Sequence, residues 1–397
     1  MAWGRTAALV VLMGATAGAK DGAGPTGSEA AERTFIDASQ LQVQGEQRSL
    51  AKIARDALPS VVSITTRPSA RRAGGMIDEE PQQGIGSGFI VHPDGWILTS
   101  AHVVEEAAEV RITLSPDLGF SGDVVARIVG VDVRTDTALL KVDAGKKLPA
   151  LALGSADALE VADWVVVIGN PFGLSQTVSV GVVSFKGRTD VMPGGRDIDF
   201  DYIQTDACIN PGSSGGPVLD ATGRVVAVAN AVNVSGQGIG FAVPIDIPKA
   251  ILTDLRKKGK VDRGWMGVTV QDLNPQLGAS LGIPEAAGVV VSQVVADSPG
   301  ARAGLRVGDV ITRVDRTPVD RAHALRWRVS TRGVGAKVPL TARRAGKPFS
   351  VEIKLEPVRL GEEPITPAVG GSGLDVRPDP APDTVPTPAP PGGGIVP

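Results

Sequence analysis

Residues 209–220 read INPGSSGGPVLD, two adjacent serines set among glycines and flanked by prolines. Such a stretch is either a slack turn or a backbone held open around a reactive hydroxyl. GSSGG satisfies G-x-S-x-G, the strand-to-helix turn that exposes a nucleophile, but that turn needs a helix after the serine and its acid and histidine downstream. Ser214 is followed by Gly-Pro and then VLDATGRVVAVAN, which reads strand, turn, strand, and only His323 lies downstream. The elbow reading fails. A serine hydroxyl is a poor nucleophile until a neighbouring imidazole accepts its proton, so the three histidines are the next residues to weigh. His323 is remote in sequence, and His92 sits in HPDG, a turn signal that favours a solvated side chain. His102 ends GWILTSAHVV, where the small Ser100 and Ala101 leave room around the ring. For the carboxylate, Asp136 in RTDTALLKV opens an apolar strand and can tuck inward, with Asp132 and Asp143 as rivals.

The elements that must position these residues are mostly strands. Short Val- and Ile-rich runs recur between turn signals: LPSVVSITTR, FIVHPDGWILTS, VRITL, VVARIVGVD, TALLKV, WVVVIG, SVGVVSFKG, YIQTDA, RVVAVANAV and GIGFAVP. No helices interleave them, which predicts an all-β barrel or sandwich pair rather than a parallel α/β sheet. A short helix is expected within 38–56, and a loop without periodicity spans 67–84. DIPKAILTDLRKKG predicts a helix opening at Asp246 and Pro248 and closing at Gly259. A smaller mixed unit follows from Gly264 to about Val358, with strands at GVTV, GVVVSQV, DVITRVD and FSVEIKL and helices near 299–304 and 320–330. Beyond Glu362 the Pro-, Gly- and Thr-rich composition predicts disorder. At the other end, MAWGRTAALVVLMGATAGAK has the layout of an export signal over 1–19. Its apolar run is shorter than the roughly 20 residues of a membrane span; cleavage near Ala19 would release the chain and an uncleaved signal would anchor it.

Composition narrows the function. With 42% apolar and 21% charged residues and a net charge of −3, the chain reads as a globular protein without the basic block that tracks phosphates, so nucleic acid is not an expected partner. The single cysteine, Cys208, excludes an intramolecular disulfide. No G-x-x-x-x-G-K-[ST] or H-E-x-x-H occurs, so neither a nucleotide nor a metal is expected as cofactor.

His102, Asp136 and Ser214 stand in the order His, Asp, Ser, the order of chymotrypsin-type hydrolases. TSAHVV, DTALLKV, IGNPFG and TDACINPGSSGGP then resemble the protease domain of the HtrA (high-temperature-requirement) family of serine proteases, over roughly residues 57–358 with the family's PDZ unit included. The resemblance implies a mainly β fold: a trypsin-like double β-barrel of two six-stranded barrels over 57–259 with the triad in the cleft, then one α+β PDZ domain over 262–358. It implies Ser214 as nucleophile, His102 as base and Asp136 as its orienter, with backbone N–H groups of Gly212 and Ser214 forming the oxyanion hole. Ser213 departs from the Asn the family usually carries there. The specificity pocket falls at Cys208 and Ile209, with no acid for a basic side chain, so Val, Ala or Ile is the expected preference; Cys208 otherwise reads as a small buried hydrophobe.

GWMGVTV and SPGARAGLRVGDVITRVD resemble a PDZ domain of the HtrA kind. The carboxylate loop would be Gly264, Trp265, Met266 and Gly267, with Val268 starting the strand that receives an extended peptide. Leu325 and Val329, one turn apart, either line the groove or pack in the core. Asp315 and Arg316 replace the Gly turn many such domains carry. The implied function is an ATP-independent endopeptidase of the cell envelope or periplasm that degrades misfolded or damaged proteins and takes peptide C-termini in the PDZ groove. The alternative is a latent or inactive protease fold acting as a chaperone. By analogy a homotrimer is expected, with Phe35 and Ile36 the apolar residues just upstream of the protease domain.

Overall fold

The computed structural model describes residues 49–68, 84–170, 176–189, 201–232, 238–283 and 287–358. The export signal, Phe35 and Ile36, most of the 67–84 loop and the tail beyond Glu362 lie outside the described residues. The Val/Ile-rich runs form strands because branched side chains pack well on a pleated surface. The first six are β1 (Val61–Pro68), β2 (Gly84–His92), β3 (Trp96–Thr99), β4 (Ala107–Thr113), β5 (Val124–Asp132) and β6 (Thr137–Lys141). They close in the order β1-β2-β3-β6-β5-β4. The next six are β7 (Trp164–Gly169), β8 (Thr177–Arg188), β9 (Tyr202–Thr205), β10 (Pro217–Leu219), β11 (Val225–Val232) and β12 (Gly240–Pro244), closing as β10-β11-β12-β9-β8-β7. Closure leaves neither sheet an unpaired edge.

Several strands lack polar alternation because both of their faces are buried. In β2, Ile90 points into the first barrel, while its neighbours Phe89 and Val91 join a cluster that also holds Val166, Ile168, Tyr202 and Phe241 of the second barrel. In β7, Val165 and Val167 fill the second barrel and Val166 and Ile168 face the first. Each such side chain, taken fully out of water, contributes roughly 1.5–3 kcal/mol. The seam between the barrels is therefore a hydrophobic core in its own right.

Helices are few. α1 (Leu50–Ala57) is capped by Ser49, whose Oγ accepts the Lys52 N–H at 3.2 Å, and it buries Ile53 and Ala57. α2 (Ala101–Val104) is one turn after β3. α3 (Asp246–Lys258) ends at Gly259 with φ +73, as the sequence predicts. Its start at Asp246 is also as expected, and the Asp246 carboxylate accepts the Ala156 N–H at 2.7 Å.

The smaller unit contains β13 (Val268–Asp272), α4 (Pro275–Ser280), β14 (Val289–Val294), α5 (Pro299–Arg302), β15 (Val310–Val314), β16 (Thr317–Pro318), α6 (Ala322–Ser330), β17 (Lys337–Arg344) and β18 (Lys347–Lys354). Its sheet runs β13-β14-β15-β17-β18, with β16 beside β15, so β13 has an open edge. At the replaced Gly turn, Asp315 adopts φ +53, a left-handed conformation that Asp tolerates better than most residues.

Candidate active site

His102 is the second residue of α2, and Asp136 ends the short 3₁₀ turn between β5 and β6 with φ +46. That turn aims the carboxylate at the imidazole. Oδ2 of Asp136 lies 2.7 Å from His102 Nδ1, and Oδ1 accepts the His102 main-chain N–H at 2.9 Å. A carboxylate only accepts, so Nδ1 carries the proton and Nε2 is left with its lone pair, the tautomer a general base needs. Asp136 is 6% exposed. Burial raises its pKa, but the charge of His102, the two hydrogen bonds from that residue and the Asn230 amide outweigh this and hold the carboxyl below its ordinary range. The His102 side chain keeps 33% exposure, open to a substrate.

Asn230 of β11 brings in the third residue. Its Nδ2 donates to Asp136 Oδ2, its Oδ1 accepts the Tyr202 hydroxyl at 3.2 Å, and its main-chain carbonyl accepts the Ser214 hydroxyl at 2.7 Å. Ser214, Asp136 and His102 thus meet around one residue. Among the described residues the Ser214 hydroxyl is bonded to that carbonyl and not to His102.

The loop carrying Ser214 is held on its carbonyl side. Ser213 N–H donates to Asn210 O at 2.8 Å, Gly216 N–H to Ser213 O at 3.0 Å, and Ser87 of β2 donates its N–H to Ser214 O at 2.8 Å. The N–H groups of Gly212 and Ser214 find no acceptor among the described residues. Donors left over in this way are what an oxyanion requires. Gly212 sits at φ +92, a conformation open to glycine. Gly215 and Gly216 have another reason: a Cβ at Gly215 would overlap Ser87 O and Thr99 Oγ1, and one at Gly216 would overlap Ile168 O. Ser213 is 4% exposed and packs where a Cβ at Gly169 would come within 2.9 Å of its Cα.

The rival residues lie elsewhere. Asp132 is paired by both oxygens with Arg263 at 2.8 Å, Asp143 accepts the Gly145 N–H at 3.3 Å, His92 accepts the Asp94 N–H at 3.1 Å, and His323 lies on α6. Sequence reasoning missed Asn230 and Ser87. The available signal was a polar residue inside an apolar strand, since a buried polar group implies a partner.

The buried reading of Cys208 needs correction. Cys208 is exposed rather than buried, with its carbonyl accepting the Ser179 hydroxyl at 2.8 Å, because it lies outside the second barrel's packed interior. Ile209 is 4% exposed and belongs to that interior. In the smaller unit, Gly264, Trp265, Met266, Gly267, Val268 and Val329 line a groove with Arg134, Arg263 and Arg326. Leu325 does not: it is fully buried in the unit's core, and Val329, one turn on along the same face of α6, packs in that core as well while bordering the groove. Within residues 264–267, Gly264 and Trp265 spend their N–H groups on Ser330 O and Glu356 O, while those of Met266 and Gly267 have no acceptor among the described residues. A Cβ at Gly267 would overlap Ser298, so the turn depends on glycine. No cluster of metal-ligating side chains occurs among the described residues.

Comparison with known proteins follows the same division. Residues 86–228 match the trypsin-like peptidase domain and residues 264–355 the PDZ domain. A probable periplasmic serine endoprotease DegP-like of Pseudomonas putida (strain W619) is 37% identical over 85% of this chain and 76% of its own length. A second, from Pseudomonas savastanoi pv. phaseolicola, is 41% identical over 70% of this chain, and the match spans only 58% of that relative's length. Among solved structures, an HtrA-type protease AlgW with tripeptide has a TM-score of 0.61 at 35% identity, covering 80% of this chain and 100% of that one. The serine endoprotease from Yersinia pestis has a TM-score of 0.52 at 29% identity over 79% of this chain and 100% of its own.

Proposed function

The chain belongs to the HtrA family of PDZ-bearing serine endoproteases, and on that premise we propose that it cleaves misfolded or damaged proteins in the periplasm or cell envelope by an acyl-enzyme mechanism. Ser214 attacks the scissile carbonyl, His102 takes its proton at Nε2 and returns it to the leaving amine, and Asp136 holds the imidazole and stabilises its charged form. The N–H groups of Gly212 and Ser214 receive the oxyanion. The observation that carries this reading is the junction at Asn230, which joins Asp136 by its amide and Ser214 by its carbonyl, with His102 Nδ1 2.7 Å from the same carboxylate. No nucleotide step is involved.

The second unit takes a peptide C-terminus: the carboxylate meets the Met266 and Gly267 amides, the chain adds to the open edge of β13, and Val329 forms the apolar wall. The relatives named above are called periplasmic, which supports an exported location, and no helix among the described residues is long and apolar enough to cross a membrane. Protease domain 57–259, PDZ domain 262–358 and a homotrimer complete the reading.

A fluorophosphonate probe tests the core of it. The probe labels Ser214 in the native chain and not in Ser214→Ala, whose turnover of casein falls by roughly a million-fold because the triad acts as a unit. In a peptide library the native chain cuts after Val, Ala or Ile. Near-native casein cleavage by Ser214→Ala refutes the nucleophile, cleavage after Arg or Lys refutes the pocket, and absence of labelling under all conditions favours the latent, peptide-binding alternative.

A further inference from the structure

We infer that Ser87 of the first barrel is a positioning residue for the oxyanion hole of the second. The inference rests on Ser214 being the nucleophile. Ser87 is fully buried in the run GIGSGF of β2, where a hydroxyl must find partners. It donates to the carbonyl of Gly212 at 2.7 Å and accepts the main-chain N–H of Asn170 at 2.8 Å. That second contact fixes the direction of the first: the Asn170 N–H can only donate, so the hydroxyl proton goes to Gly212 O. Its backbone is held too, since its carbonyl accepts the Thr99 hydroxyl at 2.7 Å and its N–H donates to Ser214 O at 2.8 Å.

The consequence follows from peptide planarity. The Gly212–Ser213 peptide is a rigid plate, gripped at one end by Ser213 N–H on Asn210 O and at the other by the Ser87 hydroxyl on Gly212 O. Gly212 has no Cβ, so turning this plate over costs little intrinsically. Turned over, it swings Gly212 O to the side where Ser213 N–H now meets Asn210 O, both grips are lost, and the Gly212 and Ser214 N–H groups on either side of the plate lose the fixed spacing that one oxyanion needs. The Ser87 hydroxyl selects the productive face. Through its N–H it also holds Ser214 O, so one residue of β2 fixes the carbonyls on both sides of the nucleophile loop while the Gly212 and Ser214 N–H groups stay without acceptors among the described residues. Ser87 touches no substrate; it acts through the loop.

The test compares the full native chain with Ser87→Ala and Ser87→Cys, using a peptide substrate with an apolar residue before the scissile bond and a peptide boronate of the same sequence. The boronate adds to Ser214 and places an oxygen in the oxyanion hole, so its affinity reads the hole directly. Expected for Ser87→Ala are a kcat lower by about 10- to 100-fold, less than the full loss of a donor, a KM within about twofold, and boronate affinity falling in parallel with kcat. Ser87→Cys, a weaker donor of similar volume, falls between. If Ser87→Ala does not fold, Ser87→Cys carries the same comparison. An unchanged kcat, a rise in KM alone, or a fall in kcat without loss of boronate affinity overturns the inference and leaves Ser87 as packing between barrels. A native chain that neither turns over the peptide nor binds the boronate overturns instead the assignment of Ser214.

Discussion

Asn230 gives each of its polar groups a different task. The amide nitrogen steadies Asp136, the amide oxygen takes the Tyr202 hydroxyl, and the main-chain carbonyl parks the Ser214 hydroxyl. Only the first two depend on the side chain, so Asn230→Ala removes the support of Asp136 and leaves the serine's resting acceptor in place. A hydrogen bond to a charged group is worth about 1.5–3 kcal/mol, and a carboxylate that loses one holds the imidazole less firmly. Asn230→Ala is expected to lower kcat by roughly 10- to 100-fold on that basis, with the Ser214 label still taken up slowly. Steady-state kinetics on the peptide substrate checks this; a native kcat would show that His102 alone orients Asp136. The chain marked Asn230 and Ser87 only as polar residues in apolar strands, and their partners were not legible because of separation: Asn230 meets Asp136 across 94 residues, and Ser87 meets Gly212 across 125. The triad was legible because residue type and order carry it.

At the scale of elements, the strands were readable because Val and Ile mark them, and the terminus of α3 because Gly259 follows a basic turn. β17 was not: Pro339 lies within it and lacks the N–H a strand ladder uses. Nor could helical spacing divide Leu325 from Val329: one face of α6 carries both into the unit's core, and only Val329 also borders the groove. The glycines after Ser214, which in sequence only mark it as the nucleophile, prove to be joinery. β2 and β3 press against the loop so closely that Gly215, at φ +85, has Ser87 O and Thr99 Oγ1 where a Cβ would stand. Gly215→Ala combines overpacking with left-handed strain, an expected cost of roughly 2–4 kcal/mol. Urea denaturation checks it, and a midpoint equal to that of the native chain would mean the two barrels yield at this seam without penalty.

Across the whole molecule, the second unit is tied to the protease barrels by arginines. Arg263 holds Asp132, four residues before Asp136, at 2.8 Å, Arg328 reaches Asp157 at 2.6 Å, and Arg321 donates to Gly187 O while its guanidinium lies 5.6 Å from the Phe185 ring. Beside them Asp201 is poorly served. One of its oxygens has no hydrogen-bond partner among the described residues, and its pKa is pushed up to about 6, first by burial and then by Asp272 and Asp320, against the pull of Arg321 and Arg326. The sign follows from linkage. Below the unfolded value of 3.8 the group is protonated in both states and costs nothing. As pH climbs toward about 6 the unfolded chain releases the proton while the folded chain keeps it, so stability falls, and above that the cost is constant. About two pKa units correspond to on the order of 1–3 kcal/mol. Asp201→Asn, which cannot ionise, should therefore be more stable than the native chain at pH 7.5 by about that amount, with the gap closing toward pH 4. Urea midpoints at pH 4, 5.5 and 7.5 measure it. A gap that stays constant with pH, or a loss of stability at pH 7.5, would mean that Asp201 is ionised and paired with Arg321, and that the contact between the units is held by that charge rather than strained by it.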